Sequence, residues 1–117
     1  MKNIILLIFI LCYLIACRKT TNEQALSIQE CDTSQVHYQP QIERIFSNSC
    51  NSCHSGSTPS GALDFTSYEA VKLHTENNEI PCCIIGIDCM KMPIGQKGLS
   101  TCEVNTILAW QHQGCLK

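Results

Sequence analysis

Ten cysteines in a chain of 117 residues constrain this sequence more than any other feature. A chain of this length makes one domain, and its core is marginal without a disulfide, a metal or a bulky covalent group. In a reducing compartment so many thiols point to metal ligands. In an oxidising one they point to disulfides or covalent attachment. The compartment therefore has to be read first.

Met1-Lys2-Asn3 is a short positive start, and residues 4–15 are an almost wholly apolar run. Its 12 residues are too few to cross a hydrocarbon layer of roughly 30 Å as a helix, and they suit the core of an export signal. The run stops at Leu14-Ile15-Ala16-Cys17. That ending resembles a bacterial lipobox, in which a small residue precedes a cysteine that receives lipid and becomes the mature N-terminus. The competing reading is an ordinary signal peptide cut nearby, or an uncleaved anchor. Each reading exports the chain, so the remaining cysteines are expected in an oxidising environment. Past residue 16 the chain keeps seven Lys/Arg, all but Lys2, against ten Asp/Glu, a formal charge of −3. Nothing in it is basic enough to suggest nucleic acid.

The expected organisation is a signal peptide over 1–16, a lipid-anchored linker over 17–30 and a folded domain over 31–117. Residues 18–30 are polar enough to be a tether. Three helices are predicted in the domain, and no alternating strand pattern occurs. The first runs from about Pro40 to Cys50, with Ile42, Ile45 and Phe46 on one face. The second covers about Ser67 to Glu76, where Thr66-Ser67-Tyr68-Glu69 has the form of a capping box and Phe65 and Ala70 stand as a staple. The third follows the capping box Ser100-Thr101-Cys102-Glu103, flanked by Leu99 and Val104. Val104, Ile107, Leu108 and Trp110 make its stripe, and Gly114 marks its stop. Residues 77–98, rich in Pro, Gly and Cys, read as an irregular segment of the kind that carries function.

Chemistry concentrates in Cys50-Asn51-Ser52-Cys53-His54. Two thiols at this spacing can each form a thioether with a haem vinyl group, which leaves the adjacent imidazole as the proximal iron ligand. The plain alternative is a C-x-x-C disulfide or thiol pair beside a bystander histidine. A zinc site lacks a second C-x-x-C. The sixth iron position points to Met92, 38 residues after His54 and followed by Pro93. A thioether there favours Fe(II) and raises the potential. Met90 is the rival methionine, and His74 or His112 the rival imidazoles. No Ser-His-Asp spacing, paired-carboxylate signature or phosphate-cradling glycine loop stands out, so no enzyme activity is expected.

The order of helix, C-x-x-C-H, middle helix, Met-Pro loop and tryptophan-bearing last helix resembles the monohaem class I cytochromes c over about residues 31–115. It is closer still to the short cytochrome c lipoproteins of some Gram-negative bacteria. The shared features are Cys31-Asp32, a Gly after Met-Pro (here Ile94-Gly95), the turn from Leu99 to Cys102, and Trp110-Gln111-His112-Gln113-Gly114. The resemblance implies a mostly α, small cytochrome c-like domain around one covalent haem c, with His54 and Met92 axial. It also implies that Ile42, Phe46, Ile107 and Trp110 form a crossing of the first and last helices. Expected partners are redox proteins, with the membrane reached through the lipid on Cys17. The expected location is the cell envelope facing the periplasm, with the outer membrane open because Arg18 is not the aspartate that often retains lipoproteins at the inner one. The chain departs from the pattern at Cys82, Cys83, Cys89 and Cys115.

Setting aside Cys12, Cys17 and the haem pair leaves six cysteines, so three disulfides are expected, with fifteen connectivities. Cys102 lies off the apolar stripe of its helix and can reach the start of the domain, which suggests Cys31–Cys102. Cys82, Cys83, Cys89 and Cys115 are then left for two more bonds, or for a redox-active pair. Two further readings stay open: a haem sensor or peroxidase-like protein with an open sixth site, and a haem-free lipoprotein stapled by disulfides.

Overall fold

A computed structural model describes residues 31–117, which form one compact unit. The signal peptide, the tether and Cys17 lie outside the described residues. The described chain is mostly helical, with no strand among its residues. Four α-helices make it up: α1 (Glu43–Ser49), α2 (Tyr68–Glu76), α3 (Glu79–Ile85) and α4 (Thr101–His112). A π-helical segment, Tyr38–Ile42, leads into α1, and a 3₁₀ turn, Ser60–Ala62, lies between α1 and α2. Among the described residues no helix is long and apolar enough to cross a membrane.

Local chemistry sets most of these boundaries. Gln39 takes the extended backbone that a residue before proline prefers, and the helical path continues through α1. The start of α2 falls one residue later than expected. Thr66 donates both its N–H and its hydroxyl to Asp64 Oδ1, at 2.9 and 2.7 Å. Ser67 caps instead, its Oγ accepting the Ala70 N–H at 3.2 Å. At α4 the capping box is complete: Ser100 Oγ accepts the Glu103 N–H at 3.2 Å, and Glu103 Oε2 accepts the Ser100 N–H at 2.7 Å.

The segment expected to be irregular contains α3, a correction with a clear physical origin. Pro81 is the third residue of that helix, within the first turn, where backbone N–H groups have no intrahelical partner anyway. Asn78 and Gly86 bracket the helix in left-handed conformations, with φ of 64° and 79°. Ile80 and Ile84, one turn apart, face the core.

That core gathers Val36, Tyr38, Ile42, Phe46, Ile107 and Trp110. The Tyr38–Ile42 segment packs against both α1 and α4, and α3 packs against α2 and α4. Trp110 is fully buried, and its Nε1–H donates to the Leu116 carbonyl at 2.8 Å. The same carbonyl accepts the Tyr38 N–H at 2.9 Å, which ties the two ends of the unit together. Gln113 adds to this tie, accepting the Val36 N–H at 2.7 Å and donating to the Thr33 carbonyl at 2.9 Å.

Cys31 and Cys102 form a disulfide with Cα atoms 5.4 Å apart. A second joins Cys82 to Cys89, with Cα atoms 5.7 Å apart. The expectation of three bonds is not met among the described residues. Cys83 and Cys115 keep free thiols, because Cys115 is enclosed in the core while Cys83 faces a cleft elsewhere.

A candidate haem cleft

Residues from four separate stretches meet at one cleft of about 310 Å³, a size in the range of small-molecule sites. The end of α1 brings Cys50, Cys53 and His54, α3 brings Ile80, Cys83 and Ile84, and the loop before α4 brings Met92 and Pro93. Phe46, Leu63, Phe65 and Leu99 add to walls that are mostly apolar, with Ser49, Ser60, Glu79 and Gln96 as the polar residues of the lining. The four residues singled out for a covalent haem therefore share one cleft, although Met92 is 38 residues from His54. The rivals lie elsewhere. Met90 is 69 % exposed and does not line the cleft, and neither His74 nor His112 reaches it.

The loop after the C-x-x-C-H motif folds back onto it. Ser60 donates its N–H to the Cys53 carbonyl at 2.9 Å, and Phe65 donates its N–H to the His54 carbonyl at 2.9 Å. This return places the Leu63 carbonyl 3.3 Å from His54 Nδ1. A carbonyl can only accept, so this contact needs the proton on Nδ1 and leaves the Nε2 lone pair free. The Phe65 ring lies against the imidazole, with centroids 4.9 Å apart and planes 35° apart, and it meets Phe46 edge-on at 5.8 Å. The imidazole is oriented before any ligand arrives.

Cys50 and Cys53 are not bonded to each other. Burial, with the Glu103 charge adding to it, pushes the Cys50 thiol up to about 11. Cys50 also caps the C-terminal end of α1, where the helix dipole opposes a thiolate. Thiol–disulfide oxidoreductases do the opposite, lowering the pKa of the first C-x-x-C cysteine, often at a helix N-terminus. A neutral, half-buried thiol beside an exposed one does not suit disulfide exchange.

Among the described residues no three His, Cys, Asp or Glu side chains lie close enough together to hold a bare metal ion. Haem sets a different requirement, because the macrocycle already holds the iron and the protein need supply only axial groups. An apolar cleft with one oriented imidazole, one thioether sulfur and the free thiols of Cys50 and Cys53 meets it.

No family model, curated protein or solved structure matches the chain.

The contributions of Leu63, Phe65 and α3 were not read from the sequence. The Leu63 carbonyl left no sequence signal. For α3 the signal was present in the Ile80/Ile84 spacing, hidden by the Pro-Cys-Cys run between them.

Proposed function

We propose that this protein is a monohaem c-type electron carrier with a cytochrome c-like fold. Its haem c would be held through thioethers to Cys50 and Cys53, with His54 and Met92 axial. The observation that carries this reading is the meeting of these four residues on one apolar cleft, with His54 Nδ1 engaged by the Leu63 carbonyl. The bound group would supply one-electron Fe(III)/Fe(II) chemistry.

The chain's residues do the rest. Cys50 and Cys53 offer the two thiols, and His54 presents Nε2 with its orientation already determined by Leu63 and Phe65. The hydrogen bond to Nδ1 raises the basicity of the ligating nitrogen. Met92 offers a soft thioether that favours Fe(II) and keeps small ligands out. The apolar walls exclude water and lower the local dielectric, which disfavours the extra positive charge of Fe(III) and raises the potential. No substrate is turned over. The crossing of the Tyr38–Ile42 segment by α4 packs Tyr38 against Trp110 at 6.0 Å and supports the resemblance to class I cytochromes c.

The rest of the reading comes from the N-terminal sequence. Lipid on Cys17 would hold the protein at an envelope membrane facing the periplasm, the outer membrane included, where it meets redox partner proteins.

The test is expression with a cytochrome c maturation system, followed by intact mass and absorption spectroscopy. The expected result is a mass gain of one haem, lost in Cys50→Ala/Cys53→Ala. The oxidised spectrum should be low-spin, with the weak red band of methionine ligation absent from Met92→Ala. A colourless protein overturns the reading and leaves a disulfide-stapled lipoprotein. A high-spin oxidised spectrum keeps the attachment and moves the function to ligand sensing or peroxidase-like chemistry.

A further inference from the structure

The sequence carries three cysteines, Cys82, Cys83 and Cys89, for which haem attachment has no use. Two of them sit beside each other on α3, and both anchor the loop that ends in Met92. Cys82 is bonded to Cys89. The carbonyl of Cys83 accepts the Met92 N–H at 2.9 Å. The loop is thus fastened to one turn of helix twice, covalently at Cys82 and by a backbone hydrogen bond at Cys83. Gly86 lets the chain double back so tightly that a Cβ there would stand 3.0 Å from Lys91 Cβ, and its φ of 79° favours glycine.

The geometry points to the Cys82–Cys89 disulfide as a clamp that holds Met92 at the cleft. It is a positioning device that rests on the haem reading above. With the bond closed, Met92 is three residues from a fixed point and can stray at most about 10 Å from it. With the bond open, the nearest anchor is the end of α3 at Ile85, seven residues away, and the reach grows to about 25 Å. A single backbone hydrogen bond, contributing little net stability where water competes for it, is then all that keeps the sulfur in place from this side. Both half-cystines are half-buried, so a reagent can reach them. Opening is a two-electron step: a dithiol gives two electrons and two protons, Cys82 and Cys89 become thiols, and the dithiol closes to its own cyclic disulfide. The consequence, in the haem-loaded protein, would be that Met92 no longer keeps a small exogenous ligand from the iron.

The test compares the haem-loaded parent with Cys82→Ser/Cys89→Ser and with Met92→Ala, using carbon monoxide on the ferrous protein as the probe. Apparent affinity scales with the fraction of molecules whose sixth position is open, so the double variant is expected to bind carbon monoxide at least ~10-fold more tightly than the parent. It should keep the parent's haem mass and helix content, and its Met92 amide should exchange hydrogen faster. Unchanged carbon monoxide affinity with unchanged amide protection overturns the clamp. If the double variant does not fold, the same two measurements are made on folded parent treated with a dithiol. Alkylation and mass mapping then verify that Cys82 and Cys89 are open while Cys31 and Cys102 remain joined. A parent without haem overturns the haem reading, and a Met92→Ala variant that binds carbon monoxide no better than the parent overturns Met92 as a ligand; either result takes the clamp with it. That outcome is separate from a failure of the clamp alone, because neither measurement involves Cys82 or Cys89.

Discussion

His54 Nδ1 lies 3.3 Å from the backbone carbonyl of Leu63, nine residues later in the chain. The imidazole is thereby committed to one tautomer, with Nε2 unengaged on the ring's other side. A main-chain partner cannot be lost by substitution, so the vulnerable part of this arrangement is the aromatic support beside it.

Phe65 is that support, buried at 7 % exposure between His54 and Phe46. Phe65→Ala should lower the unfolding free energy by about 3 kcal/mol, through lost burial and the cavity left behind. Urea denaturation measures it. The haem-loaded variant should also show a broadened, shifted imidazole signal in its NMR spectrum, as the ring loses its stacking partner.

Trp110 has the largest fully buried side chain of the core, and it donates to Leu116 at 2.8 Å. Trp110→Phe keeps an aromatic ring but removes the donor and part of the volume. The Leu116 carbonyl retains the Tyr38 N–H, so it is not orphaned. The expected loss is about 2 kcal/mol, read from chemical denaturation.

At the N-terminus of α4, Ser100 and Glu103 cap each other reciprocally. Ser100→Ala should cost about 1 kcal/mol, which in a unit of this size lowers Tm by roughly 4–8 °C. Ser100→Asp keeps the acceptor and should recover most of the loss. A calorimetric scan of the three proteins decides it.

The free thiols predict a dependence on alkaline pH in the haem-free protein. Burial pushes both Cys50 and Cys115 from an ordinary 9.0 up to about 11. The neutral form is thus favoured in the folded state. Well below pH 9 neither state ionises and the thiols leave stability unchanged. Above it the unfolded chain releases protons that the folded one holds, so stability falls as pH rises from 9 towards 11. Cys115→Ala should make that decline shallower, and loading with haem should remove the share due to Cys50. Denaturation midpoints across this pH range report both effects.

Alkylation provides a direct check on the thiols. In the folded haem-free protein, exposed Cys53 should react with iodoacetamide first. Cys115, at 0 % exposure, should react only as the unit unfolds. Mass spectrometry at successive times separates the two.

Capping made the ends of α2 and α4 legible in the sequence, because a cap is a contact between residues three apart. Even so, Thr66 donates to Asp64 while Ser67 takes the cap, so α2 starts at Tyr68. That arrangement of local hydrogen bonds is not visible in a motif. The presence of α3 is obscured by the Pro, Gly and Cys content of residues 77–98, although proline in a first turn costs a helix little. The pairing of Cys82 with Cys89 was open for a different reason. Disulfide connectivity depends on which Cα atoms come within about 6 Å, and that distance is a property of the folded chain.

By itself the sequence determined the local terms: the C-x-x-C-H spacing, the capped helices, the apolar stripe of α4 and an N-terminal run with the form of an export signal. Each depends on residues a few positions apart, whose geometry the backbone dictates. Tertiary structure decided the rest. It brought Met92 to the cleft of His54, put the Leu63 carbonyl on Nδ1, and left Cys83 facing the cleft while Cys115 went into the core. Those outcomes rest on contacts between residues far apart in the chain, set by the joint burial of the apolar faces.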